Sequence, residues 1–292
     1  MKTYYMFGDS LMRGVMPDEA WNYHSSDAIG FEAMQAQYNM KFLNFAMPTF
    51  TSERVKMWLT QIMSSHPVPD VAFLECGGND CDYDWKSICD GKCYYEHRHR
   101  VAPQDFKKNY EDMIHLLQEK GAAVTAVIAP PIAIEVYLSH LLESGISREV
   151  MSEYVNSVQQ MQDEYAEYGD IMRAVAKENG CEILSLRESF LALDDMKAYY
   201  SKDGMHPNEA GYALFVVILK NILHLQQVLY RKMRVIMFNL RFKCTVISSW
   251  HMVLHAVPKA NKMIANKNRY SEKERFVYAK WIINYMRKHA RT

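Results

Sequence analysis

The sequence lacks a long hydrophobic run. No apolar segment reaches the ~18 residues that a bilayer-spanning helix needs, and the longest uncharged stretch, 244–258, has 15 residues that include two histidines and two serines. The apolar start of the chain, Met1–Phe7, ends at Gly8 and is too short for the core of a signal peptide. The six cysteines are therefore predicted to be reduced thiols in a cytoplasmic protein, and not a disulfide framework.

The chain also lacks an overall excess of charge, but its charges are unevenly distributed. Residues 225–292 hold 15 of the 34 basic side chains and 2 of the 34 acidic ones, a net +13, which leaves −13 for residues 1–224. This asymmetry predicts an acidic body, 1–224, and a basic, amphipathic helical extension, 225–292. The extension either packs on the body or contacts an anionic membrane peripherally. No nucleic-acid recognition motif accompanies it, so nucleic acid is not an expected partner.

Short apolar runs alternate with amphipathic stretches along the body. The runs, each too short for a helix, are Tyr4–Phe7, Phe42–Ala46, Val71–Glu75, Val124–Ala129 and Ile183–Leu186. Helical spacing is found in Ala28–Tyr38, Arg54–Met63, Pro103–Lys120, Glu149–Glu178 (as one helix or two) and Asn208–Leu225. The alternation predicts a mostly parallel five-stranded sheet in a three-layer α/β/α sandwich. Gly77–Ala102 is expected to be a long loop, either functional or disordered, and Ile132–Ser147 a helical lid segment.

Three short motifs lie where such a fold binds ligands, outside the carboxyl ends of its strands. Gly8-Asp9-Ser10-Leu11 ends the first strand, and its serine can be a nucleophile or merely a helix cap. Gly77-Gly78-Asn79-Asp80 follows the third strand and offers an amide donor for an oxyanion, or an ordinary turn. In Asp203-Gly204-Met205-His206 the carboxylate can orient a catalytic base or cap the following helix. The occurrence of all three in this order favours catalysis.

Together the motifs resemble those of the SGNH/GDSL hydrolase family, over about residues 3–224, whereas the Gly-x-Ser-x-Gly motif of α/β-hydrolases is absent. The resemblance implies a flavodoxin-like fold and a serine esterase that needs no cofactor and no metal. It implies Ser10 as nucleophile, His206 as base and Asp203 as the acid that orients it. The implied oxyanion donors are the backbone N–H groups of Ser10 and Thr49 and the side chain of Asn79. Neighbouring residues expected to contact substrate are Asp9, Gly78, Asp80 and Met205.

Thr49 departs from the family pattern, which has a glycine at this position of its second block. The donated group is a backbone N–H, so a side chain does not remove it. A β-branched residue is nevertheless expected to resist a positive φ. If the glycine conformation is required, the oxyanion hole is distorted, and the loss of one donor costs ~3 kcal/mol.

The long loop offers a second interpretation, a zinc site. Four cysteines and two histidines occur within 24 residues, namely Cys76, Cys81, Cys89, Cys93, His97 and His99. Their spacing is tolerable for zinc, although the first pair would compete with the Asn79 motif. The alternative is that Cys76 is a core residue and the others face solvent. Loop aromatics, Tyr83, Trp85, Tyr94 and Tyr95, either form a wall of the substrate pocket or cover the sheet.

The basic extension resembles another family. Met233–Arg291 is similar to the leader that precedes the catalytic core of bacterial 1-acylglycerol-3-phosphate acyltransferases, including Tyr-Ser-Glu-x-Glu-Arg at 270–275. The His-x4-Asp motif of that family is absent, so the resemblance implies a truncated gene and a role in lipid or acyl metabolism.

The function expected is hydrolysis of a carboxylic ester of a carbohydrate or lipid. One alternative is O-acyl transfer by the same triad, if another hydroxyl outcompetes water. The other is a catalytically weak module that binds acyl ligands or membranes.

Overall fold

The structure, a computed structural model, describes residues 1–25, 31–91, 99–221 and 223. Residues Met1–Ile222 form one compact unit. The predicted extension, 225–292, lies outside the described residues, and so does the similarity to the acyltransferase leader. Its membrane contact and the domain boundary at 224 therefore stay predictions. Among the described residues, no helix combines the length and the apolarity that crossing a membrane requires.

Five parallel strands form the central sheet, and a two-stranded hairpin lies apart from it. The strands are β1 (Lys2–Phe7), β2 (Val15–Pro17), β3 (Tyr23–Ser25), β4 (Met40–Asn44), β5 (Val71–Leu74), β6 (Ala123–Ile128) and β7 (Glu182–Ser185). The sheet order is β4-β1-β5-β6-β7, and β2 pairs with β3 in antiparallel fashion. All five predicted sheet strands are confirmed to within two residues at each end. The sequence analysis did not predict the hairpin.

Helices connect the strands as the pattern predicted. They are α1 (Ser10–Arg13), α2 (Phe31–Tyr38), α3 (Ser52–Ser65), α4 (Gly78–Cys81), α5 (Trp85–Cys89), α6 (Pro103–Glu119), α7 (Ile134–Glu143), α8 (Arg148–Tyr154), α9 (Val158–Glu178), α10 (Arg187–Leu191) and α11 (209–221). The predicted stretch Glu149–Glu178 is two helices, because the side chain of Ser157 accepts a hydrogen bond from the backbone N–H of Gln160 and begins a new helix there. The expected lid segment contains α7, and the long loop contains α4 and α5.

Both faces of the sheet are buried. On one face Tyr5, Phe7, Leu74 and Ala126 pack with α3, α6 and α9 in a single hydrophobic cluster. Because successive side chains of a strand point to opposite faces, the residues between them belong to the other layer. These are Tyr4, Met6, Phe73 and Val127, and they are buried as well. The three-layer sandwich is therefore confirmed, and the ends of the strands remain for chemistry.

Candidate active site

The candidate site lies at the carboxyl ends of β1 and β5, which pair side by side. Ser10 follows β1 by three residues, and Asn79 follows β5 by five. In the sheet order, β4 lies on one side of β1, and β5, β6 and β7 lie on the other. The chain thus reverses direction across the sheet at this point, and doubly wound folds bind ligands in the crevice that results.

Ser10, His206 and Asp203 form a hydrogen-bonded row. His206 Nε2 lies 2.8 Å from Ser10 Oγ, and His206 Nδ1 lies 2.6 Å from Asp203 Oδ2. An ionised carboxylate only accepts hydrogen bonds, so Nδ1 carries the imidazole proton and donates it to Asp203. Nε2 then accepts from the Ser10 hydroxyl, which is the arrangement that a general base requires. The sequence analysis predicted these three residues, and the fold brings them together although 196 positions separate Ser10 from His206.

The Asp203 carboxylate is fully buried but well supported. Its Oδ1 accepts the backbone N–H groups of Met205 and His206, both at 3.0 Å. Burial alone raises the pKa of this carboxyl, but the hydrogen bonds and charge of His206 outweigh it, so the pKa lies below its ordinary value. Asp203 therefore stays ionised and holds the imidazole in one tautomer and one orientation.

Gly204 lets the Asp203–His206 loop approach the start of α7. Its φ is 71°, and a Cβ there would lie 2.5 Å from the backbone nitrogen of Tyr137 and 2.7 Å from the carbonyl oxygen of Ala133. The Gly204 carbonyl accepts the Ala133 N–H at 2.8 Å, which ties the loop to the helix. Only glycine provides both this conformation and this close approach.

Asp9, and not Ser10, caps the short helix α1. Its Oδ1 accepts the backbone N–H of Leu11 at 3.0 Å, so the Ser10 hydroxyl is left to bond His206. The interpretation of Ser10 as a mere helix cap is thereby excluded. As the first residue of the helix, Ser10 also has a backbone N–H without a partner inside it, which can face a developing negative charge.

Asn79 connects the three loops that surround Ser10. Its side-chain amide donates to Asp9 Oδ2 at 3.0 Å and to the carbonyl oxygen of Phe50 at 3.2 Å. Both amide hydrogens are thus engaged within the protein. To stabilise an oxyanion, Asn79 must share or exchange one of these two bonds.

Thr49 adopts a positive φ of 65°, contrary to the expectation that its β-branched side chain would resist this conformation. The reason lies in the turn 47–50. The Phe50 N–H donates to the Met47 carbonyl at 3.4 Å, and a Pro48 followed by a positive φ is the combination typical of a type II turn, which normally takes glycine at this position. The turn imposes on Thr49 the glycine-like backbone at a cost of ~1–2 kcal/mol.

A second buried carboxyl group, that of Glu75, lies next to Asp9. Glu75 Oε2 accepts the Asp9 backbone N–H at 3.3 Å, and both side chains are buried. Burial is the main cause that raises the pKa of each, and the charge of Asp9 raises that of Glu75 further. Asp9 has the better support for its charge, from Leu11 and Asn79. Glu75 is therefore the protonated member of the pair, with its hydroxyl available to donate to Asp9. A charged residue ending the apolar run 71–75 was the one sequence signal that could have identified Glu75.

Asp80 points away from the cavity. Its two carboxylate oxygens lie 2.8 and 2.9 Å from the backbone nitrogen of Ser52, at the start of α3. Burial raises its pKa to about 6, against the lowering effect of the Ser52 hydrogen bonds. Asp80 thus joins the Asn79 loop to the segment that follows Thr49. Of the four residues expected to contact substrate, Asp9, Gly78 and Met205 line the cavity and Asp80 does not.

The triad opens into a cavity of about 400 Å³, within the range of small-molecule sites. Ser10, His206, Thr49 and Asn79 form one part of its lining. Of the other polar residues in the lining besides Asp9, the sequence analysis singled out only Tyr83, from the long loop. It missed Tyr23, Asp82, Arg100, Tyr137, Glu164 and Tyr165. Single polar residues on helices and loops carry no local signal of this kind.

The zinc interpretation finds no support among the described residues. Cys76 and Cys81 are buried, Cys89 is exposed, and His99 Nδ1 lies 2.6 Å from the Cys81 carbonyl oxygen. No three His, Cys, Asp or Glu side chains in the described ranges are grouped as metal ligands. Cys93, His97, Tyr94 and Tyr95 fall in 92–98, outside those ranges. Trp85 does not line the cavity, but its indole N–H donates to the Tyr137 hydroxyl at 3.0 Å.

The sequence model of the GDSL-like lipase/acylhydrolase family matches residues 6–214. The match spans well over half of the chain, so this protein belongs to that family, and it is a hydrolase. The predicted resemblance to SGNH/GDSL enzymes is thereby confirmed. None of the curated protein sequences matches the chain significantly.

Solved structures share the fold of the body. A lipase/acylhydrolase from Enterococcus faecalis superposes with a TM-score of 0.53 and 18% identity, over 77% of this chain and 96% of its own. The enzyme LAE5, from the metagenome of Lake Arreo in Spain, gives 0.54 and 18%, over 76% and 95%. An acetyl xylan esterase, AlAXEase, gives 0.52 and 18%, over 75% and 98%. Similarity at this level of identity establishes the common fold.

Proposed function

We propose that this protein is a serine esterase that hydrolyses a carboxylic ester through Ser10, His206 and Asp203. The observation that carries the proposal is the continuous row of hydrogen bonds at 2.8 and 2.6 Å that ends on Ser10 Oγ inside the cavity. The family assignment supports the same reaction class.

The geometry supports two successive transfers of the acyl group, first to Ser10 and then to water. Ser10 Oγ attacks the acyl carbon while its proton passes to His206 Nε2, and Asp203 stabilises the resulting imidazolium. Negative charge develops on the former carbonyl oxygen beside the Ser10 N–H, the Thr49 N–H and the Asn79 amide. When the intermediate collapses, the ester C–O bond breaks and His206 returns the proton to the leaving alcohol. Water then repeats the sequence on the acyl-serine, with His206 again accepting and returning the proton.

The test is hydrolysis of p-nitrophenyl esters, from acetate to dodecanoate, by the full chain and its Ser10→Ala variant. We expect a loss of roughly 10⁴-fold or more in kcat, because no nucleophile remains. Ser64→Ala serves as the matched control, since Ser64 is exposed on α3 and its hydroxyl donates to the Thr60 carbonyl within the same helix.

A fluorophosphonate probe gives an independent measurement. It should label Ser10, as identified by the mass of the modified peptide, and it should fail to label the His206→Ala variant. Labelling of another serine, or hydrolysis that survives Ser10→Ala, would contradict the proposal. Adding a second alcohol and quantifying both products separates hydrolysis from acyl transfer by the same serine.

A further inference from the structure

The β2–β3 hairpin brings to the triad a side chain that the proposed mechanism does not use. Tyr23, the first residue of β3, lines the cavity together with Ser10 and His206. Its ring and the His206 imidazole meet edge-on, with their centroids 5.6 Å apart and their planes inclined by 64°. Aromatic rings in this arrangement attract each other. The hairpin is therefore in direct contact with the base of the triad.

Tyr23 also reaches the acid of the triad. Burial raises the pKa of the Tyr23 hydroxyl, and the negative charge of Asp203 raises it further, to about 12. The hydroxyl thus lies close to the carboxylate while the ring lies against the imidazole of His206. One side chain of the hairpin runs along both members of the acid–base pair.

The two hydrogen bonds of His206 leave its ring one freedom. Nδ1 and Nε2 are bonded to Asp203 and Ser10, on opposite sides of the ring. Two fixed points allow the ring to tilt about the line that joins them, and a neighbour packed against the ring opposes that tilt. The side chain of His206 is 13% exposed and that of Asp203 is fully buried. A group that covers the imidazole therefore also limits the access of water to the pair.

The turn of the hairpin is well defined. The Asp18 backbone N–H donates to the Asn22 carbonyl at 2.9 Å, and the Asp18 carboxylate accepts the Asn22 N–H at 2.8 Å. Trp21, within this turn, has a φ of 66°. A bulky side chain rarely adopts this conformation unless its surroundings enforce it, and residues of this kind cluster at functional sites. The turn thus fixes the start of the strand that carries Tyr23.

Trp21 joins the tip of the hairpin to α7 and to the loop that carries the triad acid. Its indole stacks on the His140 ring of α7, with centroids 4.5 Å apart. The Lys202 ammonium group lies 4.1 Å from the centre of the indole, in a cation–π contact, and donates to the Glu19 carbonyl at 2.6 Å. Lys202 immediately precedes Asp203. The hairpin is therefore attached to the triad loop outside the cavity as well as inside it.

We propose that Tyr23 is a positioning residue of the triad, because its ring holds the His206 imidazole in the orientation that both hydrogen bonds require. The contacts of Trp21 hold the hairpin against the loop and so keep Tyr23 in place. The inference rests on the esterase function proposed above and adds to it a residue that acts through His206. The β2–β3 hairpin then belongs to the active site, although none of its residues takes part in the proton transfers.

The proton on His206 Nδ1 gives a direct test of this orientation. A proton shared in a short hydrogen bond between imidazole and carboxylate gives a far-downfield NMR signal, and its rate of exchange with water shows how well the pair is covered. The full chain should show this signal, and His206→Ala should abolish it. We expect Tyr23→Ala to accelerate the exchange about 10-fold, near the upper end of what an aromatic pair stabilises, and Tyr23→Phe to keep the wild-type rate within about three-fold.

Kinetics with p-nitrophenyl acetate provide a second measurement. Tyr23→Ala should lower kcat roughly 10-fold or more, since a small displacement of the base is costly, and KM should change less than about three-fold. Tyr23→Phe should restore kcat to within about three-fold of wild type. Trp21→Ala removes contacts outside the cavity and should lower kcat by a smaller factor. It also provides an answer if Tyr23→Ala fails to fold, which circular dichroism would reveal.

His24→Ala is the matched control. His24 follows Tyr23 on β3, is exposed and does not line the cavity, because successive side chains of a strand point to opposite faces. The variant removes an aromatic ring from the same hairpin, and it should leave the NMR signal and kcat as in the wild type.

Four results would overturn this inference. A wild-type protein without the downfield signal would mean that His206 is not held against Asp203. A Tyr23→Ala variant with unchanged exchange would mean that the ring does not cover the pair. If that variant changed only KM, Tyr23 would contact substrate and would not position the base. If Tyr23→Phe were as slow as Tyr23→Ala, the hydroxyl would be responsible and not the ring.

The NMR comparison needs no substrate, so its outcome is independent of the esterase proposal. If p-nitrophenyl acetate is not hydrolysed but Tyr23→Ala accelerates the exchange, only the reaction class is wrong. If hydrolysis depends on Ser10 and Tyr23→Ala changes neither the exchange nor kcat, only the role of Tyr23 is wrong.

Discussion

Asp203 and Asp80 are both fully buried aspartates, yet their surroundings shift their pKa values in opposite directions. Asp203 accepts two backbone N–H groups and the His206 imidazole, and its pKa is lowered. Asp80 accepts from the backbone of Ser52, lies close to Asp9, and has a pKa raised to about 6. Burial is common to both, so the partners decide whether a buried carboxyl keeps its charge.

The Asp203 loop and the carboxyl groups around Asp80 therefore have different roles near Ser10. The Asp203 loop maintains a negative charge beside His206, which the proposed mechanism requires. The group formed by Asp9, Glu75 and Asp80 holds the Asn79 and Thr49 loops, and it does so with carboxyl groups that readily keep protons. Three substitutions test this contrast.

The largest expected effect is that of Asp203→Asn. An amide cannot stabilise the imidazolium and favours the wrong tautomer of His206, so we expect kcat to fall roughly 10⁴-fold. The measurement is steady-state hydrolysis of p-nitrophenyl acetate, with thermal unfolding to show that the fold persists. Asp163→Asn, at an exposed position of α9, is the control. A loss below ten-fold would mean that Asp203 contributes little beyond structure.

Asp80→Asn should act on stability and in a pH-dependent way. Since the folded-state pKa lies above the ordinary value of 3.8, the folded protein holds an extra proton between about pH 4 and pH 6. The stability contributed by Asp80 is thus full below about pH 4 and lost as the pH rises through 6. Asparagine does not titrate. The free energy of unfolding of the variant, relative to that of the wild type, should therefore rise by roughly 3 kcal/mol between pH 4 and pH 7.

Urea unfolding at a series of pH values measures that difference. Asp203→Asn should show the opposite pH dependence, because the pKa of Asp203 is lowered. The contribution of Asp203 is present above the unfolded pKa and lost as the pH falls, so that variant should be least stable relative to wild type near neutral pH. Parallel behaviour of the two variants with pH would refute the contrast between the two regions.

The smallest expected effect is that of Glu75→Gln. If Glu75 is already neutral, glutamine preserves both interactions, since its amide donates to Asp9 and its oxygen accepts the Asp9 N–H. We expect kcat/KM to stay within about three-fold of wild type, given the ~1 kcal/mol scale of a hydrogen bond. Glu75→Leu removes both interactions and should lose more. Equal losses in the two variants would show that the negative charge of Glu75 is required.

The sequence alone predicted the layers and the residues of the hydrogen-bonded row. Strand positions followed from short apolar runs, and Ser10, Asn79, Asp203 and His206 lay in motifs whose placement after strands or before the last helix was itself predictable. These signals are local, since each depends on residues within a few positions of one another. The same local signals could not show that the turn beginning at Met47 forces a positive φ on Thr49.

The tertiary structure decided the electrostatics and the cavity. Glu75 meets Asp9 across 66 positions, Asp80 meets Ser52 across 28, and Tyr137 meets Asp82 across 55. Whether a carboxyl keeps its charge depends on the donors that folding places beside it. Sequence patterns carry no record of such distant pairings, because each partner is an ordinary residue in its own segment.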